Sequence, residues 1–416
     1  MTSERVRLAA DIERESGRIL DFYRGFIRAR SPNPPGDTRE AAAFICRFLA
    51  SEGIPFRVVA PMAEMPNIVA SFDGGAPGRH LVLNGHIDVF PVGDASGWTV
   101  DPWGGELKDG RIFGRGACDM KAGTTASIFS YVLLHKLKEH LRGQLTLTAV
   151  SDEETFGPWG ARYLLDHLPE VRGDAMLNGE PSGLYNVRFG EKGSLWLAFT
   201  VRTPGAHGAH THHSPSATKI ACRLIQELEA VTQVPVNMPR SVAEALERAA
   251  PGMERSMGRG GSRIIPAVTL NIGTVHGGLK INMVPGECRF EADIRIPVGA
   301  ERPGIDAVIE RLLRACPEAI VEELNYNPPS WCDPGGILID IVRRNVESLS
   351  GIDPMPTISL GGTDARLWRY RNIPAYIYGP PPAGMGSVDE HVLEGDLMHV
   401  VRTHVLSCYD YLSETG

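Results

Sequence analysis

The sequence predicts an α/β protein in which a mixed sheet flanked by helices is interrupted by a smaller α+β domain. Two observations carry this. Short β-branched runs alternate with helical stretches before residue 192 and again after 335, and several of these runs end in polar clusters. Between them the pattern changes: 194–203, 266–276 and 286–296 alternate apolar with polar residues, as strands with one wet face do. The chain therefore divides into a first domain segment over 1–192, an inserted domain over 193–310 and a returning segment over 311–416.

Leu8, Ile12, Ile19, Tyr23, Phe26 and Ile27 fall near one helical stripe over 5–29, which stops before Ser31-Pro32-Asn33-Pro34-Pro35-Gly36. A second helix over 38–52 turns Ala42, Ile45, Phe48 and Leu49 inward. Strands follow at 55–60, 67–72 and 80–85, the last running into Gly85-His86-Ile87-Asp88. Residues 106–114 read as a hairpin around Lys108-Asp109-Gly110, and the glycine-flanked Asp119 turn feeds a helix over 121–140. Strand 144–150 leads to Ser151-Asp152-Glu153-Glu154, a helix over 159–167 follows, and strand 174–177 ends at Asn178-Gly179-Glu180-Pro181. In the insertion, helices over 215–230 and 303–315 join the alternating strands into a βαββ-type unit, and 232–264 reads as a long loop with one short helix. A helix over 335–348, the turn Gly361-Gly362-Thr363-Asp364, a strand over 374–379 and a helix over 394–412 complete the chain.

A net charge of −8 without any Lys/Arg-rich run argues against nucleic acid or an anionic membrane as partner. Seven scattered cysteines, with no CxxC pair, suggest neither a disulfide framework nor a thiolate metal site and fit a reducing compartment. Met1 to Arg18 lacks an apolar signal region and no apolar run reaches membrane-spanning length, so the expected location is the cytoplasm.

Four polar clusters, His86/Asp88, Asp119, Glu153/Glu154 and Glu180, sit at strand ends of one α/β domain. Taken singly, each reads equally well as a turn or a satisfied polar pair. Together they read as a metal site. His86 would bind an ion through one nitrogen, with Asp88 fixing the ring. Asp119 could bridge two ions, Glu154 and Glu180 would each add a carboxylate, and Glu153 would stay unbound as general base. Because side chains alternate along a strand, Glu153 and Glu154 are expected to face different ways. Mixed imidazole and carboxylate ligands suit two Zn²⁺, with Co²⁺ or Mn²⁺ as substitutes.

The stretches Asn84-Gly-His86-Ile-Asp88-Val-Phe-Pro91, Gly114-Arg-Gly-Ala-Cys-Asp119-Met-Lys-Ala-Gly123, Ser151-Asp-Glu-Glu154 and Asn178-Gly-Glu180-Pro-Ser182 resemble, in order, the motifs of the M20 metallopeptidases. That family includes acetylornithine deacetylase, succinyl-diaminopimelate desuccinylase, aminoacylase-1 and carboxypeptidase G, and the similarity runs over nearly the full chain. The resemblance implies a zinc-binding α/β domain interrupted by a lid or dimerisation domain, and hence a homodimer. It implies that His86, Asp119 and Glu180 hold one zinc and Asp119 and Glu154 the other, with Glu153 as general base and Asp88 as orienting residue. It also implies a cis peptide after Asp119.

By the same resemblance, His207 in Pro204-Gly-Ala-His207-Gly-Ala-His210 would reach the substrate oxyanion, with His210 as the alternative. Asn282, Arg295, Gly361, Gly362 and Thr363 resemble positions that grip the substrate carboxylate; for Arg295 the competing reading is a strand salt bridge with Asp293 or Glu291. The family's fifth ligand, a histidine near the C-terminus, falls on Gly386, so His391 is taken as its substitute. The alternatives are a second ion with fewer protein ligands or a single-metal site. The implied activity is hydrolysis of the amide bond of an N-acyl amino acid or related small amide. Rival readings are a dipeptidase or glutamate carboxypeptidase-like peptidase, deformylation of a heterocyclic amine, and a non-catalytic small-molecule-binding paralogue.

Overall fold

The computed structural model describes residues 3–413, so the outer limits of the sequence-drawn segments, 1–2 and 414–416, lie outside the described residues. Among the described residues, nine strands form one mixed sheet. Its order from one edge is Arg57–Val59, Asn67–Asp73, Arg142–Val150, Ala76–His86, Ala175–Asn178, Ala375–Ile377, Asn186–Glu191 and Ser330–Trp331, with Met355–Ser359 also paired to Asn186–Glu191. Ala76–His86 runs parallel to both Arg142–Val150 and Ala175–Asn178, in registers that set His86 opposite Val150 and Asn84 opposite Asn178. Three parallel neighbours therefore deliver their C-terminal ends to one edge, where open α/β sheets bind ligands.

Both faces of this sheet are covered, so its strands are apolar on both sides. Leu81 and Leu83 face a core shared with the helices Ala122–His135 and Glu394–Ser413, while Val82 between them faces Leu164, Leu165 and Trp368 on the other side. Helix Ala122–His135 is buried from Ala122 to Leu134, which explains a sequence with no polar stripe.

The inserted domain is an antiparallel sheet in the order Thr269–Gly277, Glu287–Ile296, Gly193–Arg202, Ala319–Asn327. Helices Ala217–Leu228 and Arg302–Ala315 pack on one face, over a separate core that includes Leu195, Phe199, Phe290 and Ile294.

Four sequence-based assignments need correction. The boundary at 310 cuts helix Arg302–Ala315, and the strand Ala319–Asn327 beyond it pairs with Gly193–Arg202, so the inserted sheet extends to Asn327. That strand was hidden because it lies at the sheet edge and its middle, Glu322 to Leu324, is exposed. The stretch 232–264 holds an 18-residue helix, Arg240–Met257, despite Pro251 within it. Its apolar stripe, Val242, Ala245, Leu246, Ala249 and Met253, joins the core of the large domain, not that of the insertion. The N-terminal stripe belongs to two helices, Ser3–Arg14 and Ser16–Arg28. Finally, Asn186–Glu191 is an interior strand of the main sheet that the sequence reading left unassigned.

Candidate metal centre and its cleft

His86 ends its strand with the ring buried, and its Nδ1–H donates to the Asp88 carbonyl at 2.8 Å. That bond fixes the tautomer and leaves Nε2 for the centre, where it lies 3.2 Å from Asp119 Oδ1 and 3.3 Å from Glu180 Oε1. One ligand atom from each of His86, Asp119 and Glu180 falls within 4.8 Å of the others, a spacing that suits a single cation. Asp119 sits in the turn before helix Ala122–His135, and the Asp119–Met120 peptide is cis. The Glu390 carboxylate braces this turn: its Oε1 accepts from the amides of Cys118 (3.0 Å) and Asp119 (3.3 Å), and its Oε2 pairs with Arg115 Nη1 at 2.7 Å. The Glu180 turn lies directly against the start of that helix. A Cβ on Gly123 would stand 2.0 Å from the Gly179 carbonyl oxygen, so only glycine permits the approach.

Asp88 acts differently from the sequence-based expectation. Its carboxylate is 3.7 Å from His86 Nδ1 and instead accepts from the amides of Glu153 (3.3 Å) and Glu154 (3.1 Å) and from Asn33 Nδ2 (2.9 Å). It caps the turn that presents the two glutamates and meets the histidine through its backbone. That turn also corrects the argument from strand alternation. The strand ends at Val150, Asp152 adopts a left-handed conformation (φ 72°), and Glu153 and Glu154 stand in the following turn, outside the strand's alternation. Asp152 holds the turn by accepting from Thr155 Oγ1 at 2.7 Å and from the Trp159 amide at 3.1 Å.

Glu153 Oε1 and Glu154 Oε1 are buried without hydrogen-bond partners. Arg366 lies 3.6 Å from Glu153, and its guanidinium also stacks over Phe156. Burial raises both glutamate pKa values well above the ordinary range, with Glu180 and Asp364 adding to Glu153 and Asp119 adding to Glu154. Burial, then Asp119, pushes Glu180 to about 7. For His86, burial lowers the pKa, but Glu180, Asp119 and Asp88 together outweigh it and raise it well above normal. A buried set of carboxylates around one imidazole is the kind of donor group that a divalent cation satisfies. The converging set of one imidazole and two carboxylates fits such a cation, with the orphaned oxygens of Glu153 and Glu154 on the neighbouring turn; Glu154 itself lies outside the converging set.

A cleft of about 320 Å³ opens beside this group, lined by Asp119, Glu180, Arg188, Ser359 and the Gly361-Gly362-Thr363 turn. Those three residues are therefore at the site. Thr363 is held there by Glu191, which accepts from its amide (3.1 Å) and hydroxyl (2.8 Å). Arg295 faces an adjoining cavity of about 350 Å³ that shares Leu360 and Gly361 with the first, and it pairs with Asp293 at 2.9 Å, as its competing reading held.

The remaining candidates lie elsewhere. His391 falls outside the converging group: its ring packs on Phe113 and its Nδ1 donates to the Asp389 carbonyl at 2.8 Å, leaving Nε2 free. His207 and Asn282 come together on the inserted domain, where His207 opposes Met283 and Gly208 donates to the Asn282 carbonyl at 2.7 Å. Both are exposed, as is His210, and none of their contacts reaches His86. The sequence reading missed Arg188, Arg366 and Glu390 as members of the site. A lone arginine inside the apolar strand Asn186–Glu191 was the available signal for Arg188.

The sequence model of peptidase family M20/M25/M40 matches residues 82–409. A succinyl-diaminopimelate desuccinylase of Cereibacter sphaeroides (strain KD131) is 30% identical over 361 residues, covering 84% of this chain and 88% of its own. Among solved structures, an M20 family metallo-carboxypeptidase from Sulfolobus solfataricus superposes with TM-score 0.81 at 16% identity, over 94% of this chain and 99% of that one. A dinuclear metal-binding peptidase of the M20 family from Bacillus subtilis gives 0.67 at 16% identity, over 97% and 100%.

Proposed function

Because the chain belongs to peptidase family M20/M25/M40 and so is a metal-dependent amide hydrolase, we propose that it removes the acyl group from an N-acyl amino acid. The observation that carries the reading is Glu153. It is buried, with one oxygen unpartnered, beside the converging ligands and opposite Arg366. His86, Asp119 and Glu180 would hold one zinc, and Asp119 with Glu154 the other. His391, whose free Nε2 matches the arrangement at His86, would serve as fifth ligand in place of Gly386. When bound, such ions polarise the scissile carbonyl and acidify water.

The chain's own groups do the rest. Glu153 takes the proton of the attacking water and returns it to the leaving nitrogen. Arg366 faces that carboxyl at 3.6 Å, and Asp88 holds the backbone that carries it. The Gly361-Gly362-Thr363 turn positions the substrate beside Asp119 and Glu180. His207, on the exposed turn shared with Asn282, would donate to the oxyanion from a second copy in a homodimer. Seven free cysteines support a reducing compartment, the cytoplasm, and no described helix is long and apolar enough to cross a membrane.

The test is hydrolysis of a panel of N-acetyl and N-succinyl amino acids and dipeptides by zinc-loaded protein. Glu153→Ala should lower kcat by about 10²- to 10⁴-fold while two zinc ions per chain remain, counted by elemental analysis. Unchanged turnover in this variant would remove Glu153 from the mechanism. Turnover confined to dipeptides would favour the peptidase reading.

A further inference from the structure

We infer that Arg188 selects the substrate by binding a carboxylate on one of its two arms. This rests on the amide-hydrolase reading above and goes beyond it by naming a recognition group. Arg188 projects from the strand Asn186–Glu191 into the cleft that Asp119 and Glu180 line, so an amide placed at those carboxylates extends one arm toward it. Between them the walls are Met257, Leu360 and Met385, which suit a short run of methylenes.

Arg188 is the cation among the described residues that line this cleft, and its cationic neighbours each face another partner. Arg366 faces Glu153 at 3.6 Å, Arg369 pairs with Glu191 at 3.1 Å, and Arg295 pairs with Asp293 at 2.9 Å. Lys192 donates to the carbonyls of Ile264 (2.9 Å) and Ala267 (2.7 Å). Among the described residues, the guanidinium of Arg188 makes one hydrogen bond, a long one of 3.3 Å to Ser359 Oγ, and its Nε is buried without a partner. Burial draws its pKa down to about 10, with Glu180 and Asp119 opposing, so it is a cation at neutral pH. Arg188 is half-buried, and a guanidinium whose Nε is shielded from water without a partner is best satisfied by an anion. Its planar fork matches a carboxylate in a bidentate fashion.

The experiment compares three probes on zinc-loaded protein. N-acetyl-L-alanine carries a carboxylate on the amine arm, N-succinyl-L-alaninamide carries one on the acyl arm, and N-acetyl-L-alaninamide carries none. Wild type should prefer one acid over the neutral amide in kcat/KM. In Arg188→Gln that preference should fall by about 10- to 100-fold, mainly through KM, and Arg188→Lys should recover part of it. The probe that loses its advantage identifies the arm. Because each preference is a ratio within one protein preparation, a reduced folded fraction cancels. Preferences equal to wild type in both variants overturn the proposal. Should wild type cleave none of the three, the N-acyl amino acid reading fails separately, and calorimetric titration with succinate still reads Arg188. Binding by wild type that Arg188→Gln loses upholds the anion site; equal binding, or none by wild type, overturns it.

Discussion

Glu390 shows how much of a metal centre lies outside its ligands. One carboxylate accepts from two consecutive amides, Cys118 and Asp119, and neutralises Arg115, which in turn donates to the Gly386 carbonyl at 3.3 Å. The position of Asp119 therefore depends on a residue outside the converging group. Replacing Glu390 by Gln keeps the shape but removes the charge that Arg115 and the two amides share. Zinc affinity, measured by competition with a chromophoric chelator, should fall by about 10- to 100-fold. Wild-type affinity would reduce Glu390 to a structural partner of Arg115. At this scale the convergence of His86 and Glu180 was legible because each stands at the end of an apolar strand, and position in an α/β sheet then suggests a site. Glu390 was not legible as a brace, nor Asp88 as a turn cap. Those roles depend on which backbone amides a carboxylate meets, and sequence spacing carries no record of that.

The element that most constrains the sheet edge from behind is the C-terminal helix Glu394–Ser413. Its His404 Nε2 donates to the Tyr378 carbonyl at 2.6 Å, and its His399 Nε2 shares a hydrogen bond of 2.8 Å with the Tyr378 hydroxyl. Tyr378 leads into Gly379, whose amide donates to Ser182 Oγ in the turn after Glu180. Burial lowers the pKa of both histidines to about 4. In the unfolded chain a histidine titrates near 6.5, so between these values the unfolded state binds more protons and stability falls as pH falls. Above about pH 6.5 His404 is neutral in both states and the fold loses nothing; by pH 4 its burial has cost roughly 3 kcal/mol of stability. Denaturant melts from pH 8 to 4 should show this loss, and His404→Gln, which retains a donor for Tyr378, should flatten the slope. An identical pH slope in the variant would remove His404 as its source. This helix was readable from its sequence, although it is buried on nearly every side from Leu397 onward. Helix Arg240–Met257 was not, because Pro251 and Gly252 argue locally against what Val242, Leu246 and Met253 achieve by docking on a distant core.

At the scale of the whole molecule, the two cores were legible from the change in periodicity near 192, but the place where the chain leaves the second was not. The boundary depends on Ala319–Asn327 choosing Gly193–Arg202 as partner, and a polar edge strand does not announce its neighbour. The same insertion carries the feature that bears on assembly. Leu279 and Ile281 are 91% and 101% exposed in the loop between Gly277 and Met283, beside Val275 and Met283, which are 52% and 42% exposed. An apolar tip of this kind on a charged chain is costly to leave in water and marks a contact surface. It lies next to Asn282 and across the turn from His207, the two residues that the family resemblance assigns to the substrate and that reach no ligand within their own chain. A dimer through this domain would cover the apolar tip and bring His207 to a second copy's cleft in one arrangement. Light scattering coupled to size exclusion should therefore give a dimer for wild type and a monomer for Leu279→Glu/Ile281→Glu. The monomer should keep its zinc, because His86, Asp119 and Glu180 all lie in the other domain, but lose about 10²- to 10³-fold in kcat, the cost typical of one missing oxyanion donor. A wild-type monomer with full activity would separate the exposed tip from catalysis and leave His207 without a role.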